Sequence, residues 1–526
     1  MKTILNCLLL LAISSIYSQN TIKGIVKESE TEEPITFANV YLPELEKGTI
    51  TNEKGEFVIN NLPSGDHKII ISYIGFKTFS TTLKIPQTKN LRIVLTTSAI
   101  EMEEVIVSTP FHKLQSENVM KVEQLKMNEL KASGTTTLSE GITNIAGVES
   151  VTTGLSIGKP VIRGLSSNRV LVYTQGIRLE NQQFGDEHGL GINAAGIESV
   201  EVIKGPASLL YGSDALGGVL YLNPEKFTQV NSSTGDISAE FFTNTIGFST
   251  NAGFKSSGDK FKFILRGNIT EHSDYKTDEF RVTNTRFKEQ DFKAAFGYQE
   301  SKYKSEFRYN LNVSKLGIPE EIGIQSKNKM PLLPYQKIDN HIFSSKSTLF
   351  LDESSINMNL GYTFNNRKEF EENDIDPALQ MKLKTFSYDV KYNLPKLEKF
   401  EIITGIQGLN QTNSNFGEEQ LIPDAVTNDF GVMATSHIHF EDYDVQLGMR
   451  YDNRNINVKN RLTETYDSFN GAIGIKLYLF KKIITRLNLA TGFRAPNLAE
   501  LTSDGIHEGT NRYEIGNPNL DSEQNF

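Results

Sequence analysis

Two short segments of the sequence place carboxylates beside a histidine. In residues 181–189, Asn-Gln-Gln-Phe-Gly-Asp-Glu-His-Gly, two acidic residues precede the histidine, and in residues 504–510 a histidine and a glutamate are adjacent. Imidazole nitrogens and carboxylate oxygens together suit a borderline cation or a metal chelate. The alternative for residues 181–189 is a hydrogen-bonded loop with one surface histidine. The candidate substrate contacts are Gln182, Gln183, Asp186, Glu187, His188, His507 and Glu508, with His188 and His507 as candidate metal ligands.

No catalytic motif accompanies these segments. The glycine-rich stretch 205–218 lacks the Lys-Ser/Thr pair of a phosphate-binding loop, and no nucleophile elbow is present. The single cysteine, Cys7, lies in the N-terminal apolar stretch, so a processed chain would have no disulfide, thiolate metal site or cysteine nucleophile. The net charge of -10 argues against a nucleic-acid partner. These features favour a binding or transport protein without a cofactor over an enzyme.

The N-terminus has the pattern of a secretory signal. Lys2 precedes a mostly apolar run from Ile4 to Ile16, and small residues lead to Ser18-Gln19. We therefore predict a signal peptide over residues 1–18. No later apolar run reaches 18 residues, which excludes transmembrane helices but not a membrane β-barrel, whose strands alternate apolar and polar residues.

Residues 20–96 have the pattern of a small β-sandwich. Short apolar runs such as 57–59 and 69–71 are separated by the turn sequences Asn-Glu-Lys-Gly and Pro-Ser-Gly-Asp. About seven strands fit this length, which is typical of a sandwich.

The next stretch contains the most distinctive motif of the chain, Val200–Tyr221, VEVIKGPASLLYGSDALGGVLY. Before it come a capped helical segment at 136–142 and the runs 160–165, 169–172 and 197–203. In this order the segments resemble the plug domain of TonB-dependent outer-membrane receptors, which we place at residues 110–225. Residues 20–96 resemble the carboxypeptidase-regulatory-like domain that often precedes the plug in Bacteroidetes-type receptors. Within the plug, Arg163 and Glu201 are interpreted as plug–barrel ion pairs rather than substrate ligands.

Residues 100–109, IEMEEVIVST, combine an acidic lead with a short β-branched run. Such a segment can add as a strand to the sheet edge of a partner. It resembles the TonB box, and the resemblance implies that TonB binds Glu104, Val105, Ile106, Val107 and Ser108. The alternative is an ordinary linker strand.

Residues 227–526 alternate apolar and polar side chains over long segments. Tyr443, Val445 and Leu447, for example, alternate with Asp444 and Gln446. Strands of about ten residues suit an antiparallel transmembrane β-barrel. A plug-filled barrel has about 22 strands, and this stretch supplies about 12 to 14 at its loop density, so we expect a barrel that is C-terminally truncated. The predicted fold is mainly β: sandwich, α+β plug and partial barrel.

The resemblance implies a function in energised import. We expect a receptor in the Gram-negative outer membrane, in contact with its lipid, that imports a scarce metal ion or metal chelate (siderophore, zinc or copper). Its partners would be TonB and the inner-membrane energy complex. The histidine-containing segments resemble those of metal receptors, but no His-rich loop follows residues 316–322. The alternatives are an importer of glycan, peptide or cobalamin, and a non-transporting receptor or adhesin.

Overall fold

The computed structural model describes residues 20–87, 89–98, 105–111, 113–180, 188–205, 207–319, 325–417, 422–479, 483–507 and 512–525. The predicted signal peptide lies outside these ranges. The chain divides into two compact units, the first made of residues up to Met102 with 299–304 and 349–354, the second of the remainder. Among the described residues, no helix is long and apolar enough to cross a membrane.

The first unit contains the expected β-sandwich. One sheet has the order β4-β1-β7 and the other β3-β2-β5-β6. Alternate residues of the strands face inward, so that Ile22, Val40, Ile69 and Ile71 are fully buried. The seven strands confirm the sequence-based count. They are β1 (Asn20–Glu28), β2 (Asn39–Leu42), β3 (Lys47–Ile50), β4 (Glu56–Leu62), β5 (Gly65–Ser72), β6 (Phe79–Ile85) and β7 (Leu91–Leu95).

The plug is built on a five-stranded mixed sheet of order β12-β11-β14-β13-β8, with β9 and β10 as a separate hairpin. Gly212 and Gly218 have φ of +83° and +145°, and a Cβ on Gly218 would lie 2.2 Å from the Ile203 carbonyl oxygen, so this turn requires glycine. The elements are β8 (Val122–Lys126), α1 (Met127–Ala132), α2 (Leu138–Gly141), β9 (Val148–Thr153), β10 (Ile157–Ile162), β11 (Val170–Thr174), β12 (Ile177–Leu179), β13 (Ile197–Lys204), α3 (Ser208–Tyr211) and β14 (Gly218–Pro224), with 3-10 turns at Ile142–Asn144 and Ser167–Arg169.

The remaining strands form a thirteen-stranded sheet in chain order, β15 to β27, with the pairs β28–β31 and β29–β30 beside it. The elements are β15 (Ser232–Phe242), β16 (Gly247–Ser257), β17 (Phe261–His272), β18 (Phe287–Gln299), β19 (Tyr303–Gly317), β20 (Tyr335–Leu351), β21 (Ser354–Phe370), β22 (Leu379–Asn393), β23 (Phe400–Asn415), β24 (Ala425–His439), β25 (Tyr443–Val458), β26 (Leu462–Leu479), β27 (Ile483–Ala490), β28 (Gly492–Arg494), α4 (Leu498–Thr502), β29 (Asp504–His507), β30 (Arg512–Ile515) and β31 (Glu523–Asn525).

The faces of this sheet are inverted relative to a soluble protein. On β17, Phe261, Phe263 and Leu265 are 57%, 40% and 47% exposed, whereas Lys262 and Arg266 are each 8% exposed. An apolar outer face and a polar inner face are the pattern of a barrel wall in lipid. The dyad alternation of the sequence is thus confirmed as barrel strands.

The connections between the long strands differ at the two ends of the sheet. At one end they are the short turns 258–260, 300–302, 352–353, 394–399 and 440–442. At the other they are 243–246, 273–286, 318–334, 371–378, 416–424 and 459–461, of which the longest has 17 residues. We call these the short-turn end and the long-loop end.

Candidate functional site

The predicted TonB-box segment is described from Val105 onward, and Glu104 lies outside the described residues. Val105 forms an isolated antiparallel bridge with Leu114. The Ile106 amide donates to the Lys113 carbonyl oxygen at 2.9 Å, and the Ile106 side chain is 1% exposed. The segment is therefore a short extended piece folded back on the residues that follow it.

A single carboxylate of the plug holds the next two residues. The amides of Val107 and Ser108 donate to Glu201 at 3.1 and 2.8 Å, and Asn223 Nδ2 donates to the same carboxylate at 2.7 Å. Glu201 is fully buried, so its charge is stabilised by these donors in place of water. We use the name box latch for the contacts of Glu201 with the Val107 and Ser108 amides, together with the Tyr211 contact described next.

A tyrosine of the plug motif completes the latch. The Tyr211 hydroxyl donates to the Ser108 carbonyl oxygen. Burial raises the pKa of Tyr211 well above its usual range, so the hydroxyl stays protonated and remains a donor. The segment Val105–Ser108 is thereby bonded to both halves of the strand–turn–strand motif that the sequence singled out.

Glu201 and Arg163 were each predicted to form an ion pair with the barrel, and the described contacts give neither of them such a partner. Glu201 lies on β13, and it accepts from the box-segment amides of Val107 and Ser108 and from the Asn223 side chain of the plug, not from a barrel residue. Arg163 is exposed, and within the described ranges no ion pair involves it. One plug–barrel ion pair involves a residue that the sequence analysis did not select.

That residue is Asp214, in the glycine-flanked turn after α3. Arg454 of β25 donates to Asp214 at 3.0 Å and to Asp429 of β24 at 2.6 Å, and Arg178 of the plug donates to Asp214 at 2.6 Å. Burial alone would raise the pKa of Asp214, but the two guanidinium groups lower it to about 2. A charged plug residue thus seats the turn against the barrel wall.

The chain just after the box segment is docked on the barrel through its carbonyl groups. Lys476 of β26 donates to the carbonyl oxygens of Ser116 and Glu117 at 3.2 and 3.0 Å. Arg486 of β27 donates to those of Gln115 and Asn118 at 2.9 and 3.0 Å. These contacts use no side chain of the docked segment, which explains why its sequence gives no signal of them.

His188 is the one predicted ligand residue whose side chain is described. It is 1% exposed, and its Nε2 lies 3.0 Å from Glu369 Oε1. Glu369 lies near the C-terminus of β21, at the long-loop end. A buried imidazole beside a buried carboxylate is compatible with metal binding and equally with a structural hydrogen bond. Gln182, Gln183, Asp186 and Glu187 lie outside the described residues.

Residues 504–507 of the second predicted segment form β29, which pairs with β30. The backbone of His507 pairs with that of Arg512 at the end of this pair of strands. The side chain of His507 and the whole of Glu508 lie outside the described part of the chain. The roles of both residues stay predictions.

Comparisons with known proteins match the three parts of the chain in turn. The family models are the CarboxypepD_reg-like domain at residues 22–107, the TonB-dependent Receptor Plug Domain at 115–219, and the TonB dependent receptor-like, beta-barrel at 211–526. Among curated proteins, the TonB-dependent receptor SusC of Bacteroides thetaiotaomicron is 30% identical over 227 residues, 41% of this chain and 22% of that protein. The vitamin B12 transporter BtuB of Photobacterium profundum is 21% identical over 427 residues, 80% of this chain and 65% of that protein. The chain thus spans less than two thirds of either relative.

Solved structures agree on the fold. The copper transporter OprC matches with a TM-score of 0.63 at 14% identity, covering 77% of this chain and 69% of that one. The siderophore receptor PirA from Acinetobacter baumannii matches with a TM-score of 0.60 at 16% identity, covering 77% and 66%. Because the barrel model covers more than half of the chain, behind a matching plug and regulatory-like domain, the chain belongs to the family of TonB-dependent receptors.

Proposed function

We propose that this chain is the receptor part of an outer-membrane importer that takes up a metal ion or metal chelate at the expense of TonB-transmitted energy. The chain would be exported by the signal peptide at residues 1–18. TonB would bind the segment Glu104 to Ser108. In outer-membrane barrels the short turns face the periplasm, so the box latch would lie on the side from which TonB approaches.

The box latch is the observation that carries this proposal. A β-branched segment is held at its backbone by one carboxylate and one hydroxyl, so TonB can compete for it by pairing with the same amides and carbonyls as an added strand. Hydrogen bonds to a charged group contribute about 1.5–3 kcal/mol each. The latch is therefore strong enough to keep the segment docked at rest and weak enough to be exchanged.

A connection from the ligand side to the latch runs through the plug motif. Asp214 is bonded to the barrel arginine Arg454, and three residues earlier Tyr211 holds Ser108. A ligand that shifts the plug against the barrel would move both contacts together. Binding on the outer side would in this way bias the box segment toward release.

The proposed metal class rests on the long-loop end. His188 and Glu369 place an imidazole and a carboxylate in contact, and two acidic residues precede the histidine in sequence. With His507 and Glu508 they would supply nitrogen and oxygen donors of the kind that zinc, copper and ferric chelates accept.

One relative, a vitamin B12 transporter, favours a second candidate ligand class. SusC and BtuB, which are similar over 227 and 427 residues, are a receptor of Bacteroides and a vitamin B12 transporter. An importer of glycan, peptide or cobalamin would use the same latch with a different outer surface. A non-transporting receptor or adhesin would not need the latch.

Deleting Val105–Ser108 tests the transport proposal. We expect the deletion variant, in cells, to lose uptake while outer-membrane vesicles retain ligand binding. Replacing the four exposed residues 30–33 of the first unit with alanine provides a control that leaves the latch residues unchanged. Unchanged uptake after the deletion would reject energised import.

Calorimetry on outer-membrane vesicles tests the ligand class. Zn²⁺, Cu²⁺, a ferric siderophore and cobalamin are titrated into wild type and into the double variant His188→Ala/His507→Ala. Metal binding that is lost in the double variant supports the metal proposal. Binding of cobalamin alone, unaffected by the double variant, would move the assignment to the second candidate.

A further inference from the structure

The inner face of the barrel carries two histidines and a glutamate near the short-turn end. Glu401 of β23 lies directly opposite His437 of β24 in the strand register. His437 and His439 are two residues apart and therefore point to the same face. One donor atom from each of Glu401, His437 and His439 lies within 4.8 Å of the other two. We call these three residues the inner triad.

A lysine ammonium from the plug stands at the centre of the inner triad. Lys113 Nζ lies 2.6 Å from Glu401 Oε2, 2.9 Å from His437 Nδ1 and 3.1 Å from His439 Nε2. An ammonium is a donor only, so both imidazole nitrogens facing it must present lone pairs. These three lone pairs converge on one point that is occupied by a cation.

One histidine of the inner triad is held by a further carboxylate. His439 Nδ1 lies 2.8 Å from Asp444 Oδ1 and donates to it, while Nε2 faces both the Lys113 ammonium at 3.1 Å and Glu401 Oε2 at 3.3 Å. A carboxylate behind an imidazole in this way is the usual support of a metal-bound histidine. Asp444 is itself held by Lys476 at 2.6 Å.

We propose that the inner triad is a binding site for a borderline divalent cation of the Zn²⁺ class, which Lys113 fills at rest and vacates when the box segment is withdrawn. Two imidazoles and one carboxylate are a known donor set for zinc, with a fourth position open to water. Metal–ligand distances of about 2.0–2.2 Å are shorter than the present contacts to Nζ. The three side chains would therefore close in slightly around the metal.

The connection to the box segment is local. Lys113 follows Ser108 by five residues, and its carbonyl oxygen accepts the hydrogen bond from the Ile106 amide. Withdrawal of Val105–Ser108 therefore breaks a bond to Lys113 itself. Once the ammonium leaves, the negative charge of Glu401 and the nitrogens of His437 and His439 converge with no cation between them, which attracts a cation. Only this withdrawal step rests on the proposed import function; the donor set does not.

Cobalt binding tests the site directly. Wild type and Lys113→Ala, purified as the full chain in detergent, are titrated with Co²⁺, whose visible ligand-field bands report imidazole coordination, and Zn²⁺ is then added as competitor. If the open state is about 1% populated at rest, removing Lys113 strengthens apparent affinity about 100-fold. Adding His437→Ala and His439→Ala to Lys113→Ala should abolish the gain.

Two control variants separate the site from a general loss of structure. Lys293→Ala removes another buried lysine that bonds the plug, through the Ala195 carbonyl oxygen, and should gain no Co²⁺ binding. Lys113→Met keeps the length and apolar stem of the lysine and removes only the ammonium. It should gain Co²⁺ binding as Lys113→Ala does, and it keeps the test valid if alanine at this position perturbs the fold. Equal Co²⁺ affinity in wild type, Lys113→Ala and Lys113→Met overturns the proposal.

The outcome is independent of the import assay. If the Lys113 variants gain no metal while deletion of Val105–Ser108 still abolishes uptake, the inner triad is structural and the import proposal stands. If the variants bind Co²⁺ while the deletion leaves uptake unchanged, the site stands and the import proposal fails.

Discussion

The two ends of the plug–barrel unit use the same side-chain chemistry in different ways. At the long-loop end, the imidazole of His188 meets Glu369, a residue of a barrel strand. At the short-turn end, His437 and His439 with Glu401 surround an ammonium that belongs to the plug. In the first arrangement the plug supplies the imidazole and the barrel the carboxylate. In the second the barrel supplies both imidazoles and the carboxylate, and the plug supplies a cation.

This difference indicates that the groups at the two ends have different roles. Under the proposed function, groups at the long-loop end would meet a ligand that arrives from outside while the plug is seated. Groups at the short-turn end change their environment only when the plug segment moves. Substitutions that change one end and leave the other end unchanged test whether the two ends work separately.

The largest effect is expected from breaking the box latch. Glu201→Ala removes the acceptor of the Val107 and Ser108 amides, which are hydrogen bonds to a charged group worth about 1.5–3 kcal/mol each. Hydrogen exchange at these amides should rise by about 100-fold or more, with no change at the long-loop end. Glu198→Ala, an exposed glutamate on the same strand, is the control. Unchanged protection in Glu201→Ala would contradict the latch.

The second largest effect is expected from breaking the contact of Asp214 with the barrel. Asp214→Asn leaves Arg454 and Arg178 without their shared carboxylate, and breaking one partner of a buried ion pair costs about 3–5 kcal/mol. The plug should unfold at a lower urea concentration, as monitored by hydrogen exchange of β11 and β14. Asp259→Asn, in an exposed turn of the barrel, should leave the midpoint where it is.

A smaller effect separates the ends by ligand affinity. His188→Ala should weaken external Zn²⁺ binding by about 10–100-fold, the range typical when metal-site groups are altered. His439→Ala, at the short-turn end, should leave that affinity unchanged because Lys113 still covers the inner triad. Calorimetry on both variants checks this, and equal losses would remove the distinction between the ends.

The smallest effect is a pH dependence of plug seating. The pKa of Asp214 is about 2, lowered from 3.8, so its contribution is fully present above pH 3.8 and is lost as the pH falls through 2. Between about pH 5 and pH 3 the plug should lose about 1 kcal/mol of stability. Asp214→Asn should lack this part of the pH dependence, which urea midpoints at the two pH values can measure.

The sequence predicted the architecture well because periodicity and turn residues encode it locally. Seven short strands, a strand–turn–strand motif with Gly212 and Gly218, and long alternating segments were all legible, and each is present. Even the two-residue turn at Gln175-Gly176, which lacks the favoured Asp, closes with φ of +55° and +81°.

The partners of individual charges were less predictable. Glu201 stands on a strand that is buried on both faces, and nothing local indicates whether the box segment or the barrel covers it. The inner triad needs two strands in register and a lysine 288 residues before Glu401. The only available signal was the His-Ile-His sequence at 437–439, which places two imidazoles on one face of a strand.

The position of β8 has a mechanical consequence. It is the first plug strand after the box segment and lies at the edge of the sheet, bonded only to β13 within it. Once the bonds from Val107 and Ser108 to Glu201 of β13 are broken, a load applied to Val105–Ser108 travels along the chain and reaches β8 before any other strand of the sheet. Under the proposed coupling, β8 is the strand that separates first. Its pairing with β13 can open from Ile203 toward Ser199 while β12, β11, β14 and β13 remain paired. The opening that this creates is bounded by the length of a single strand.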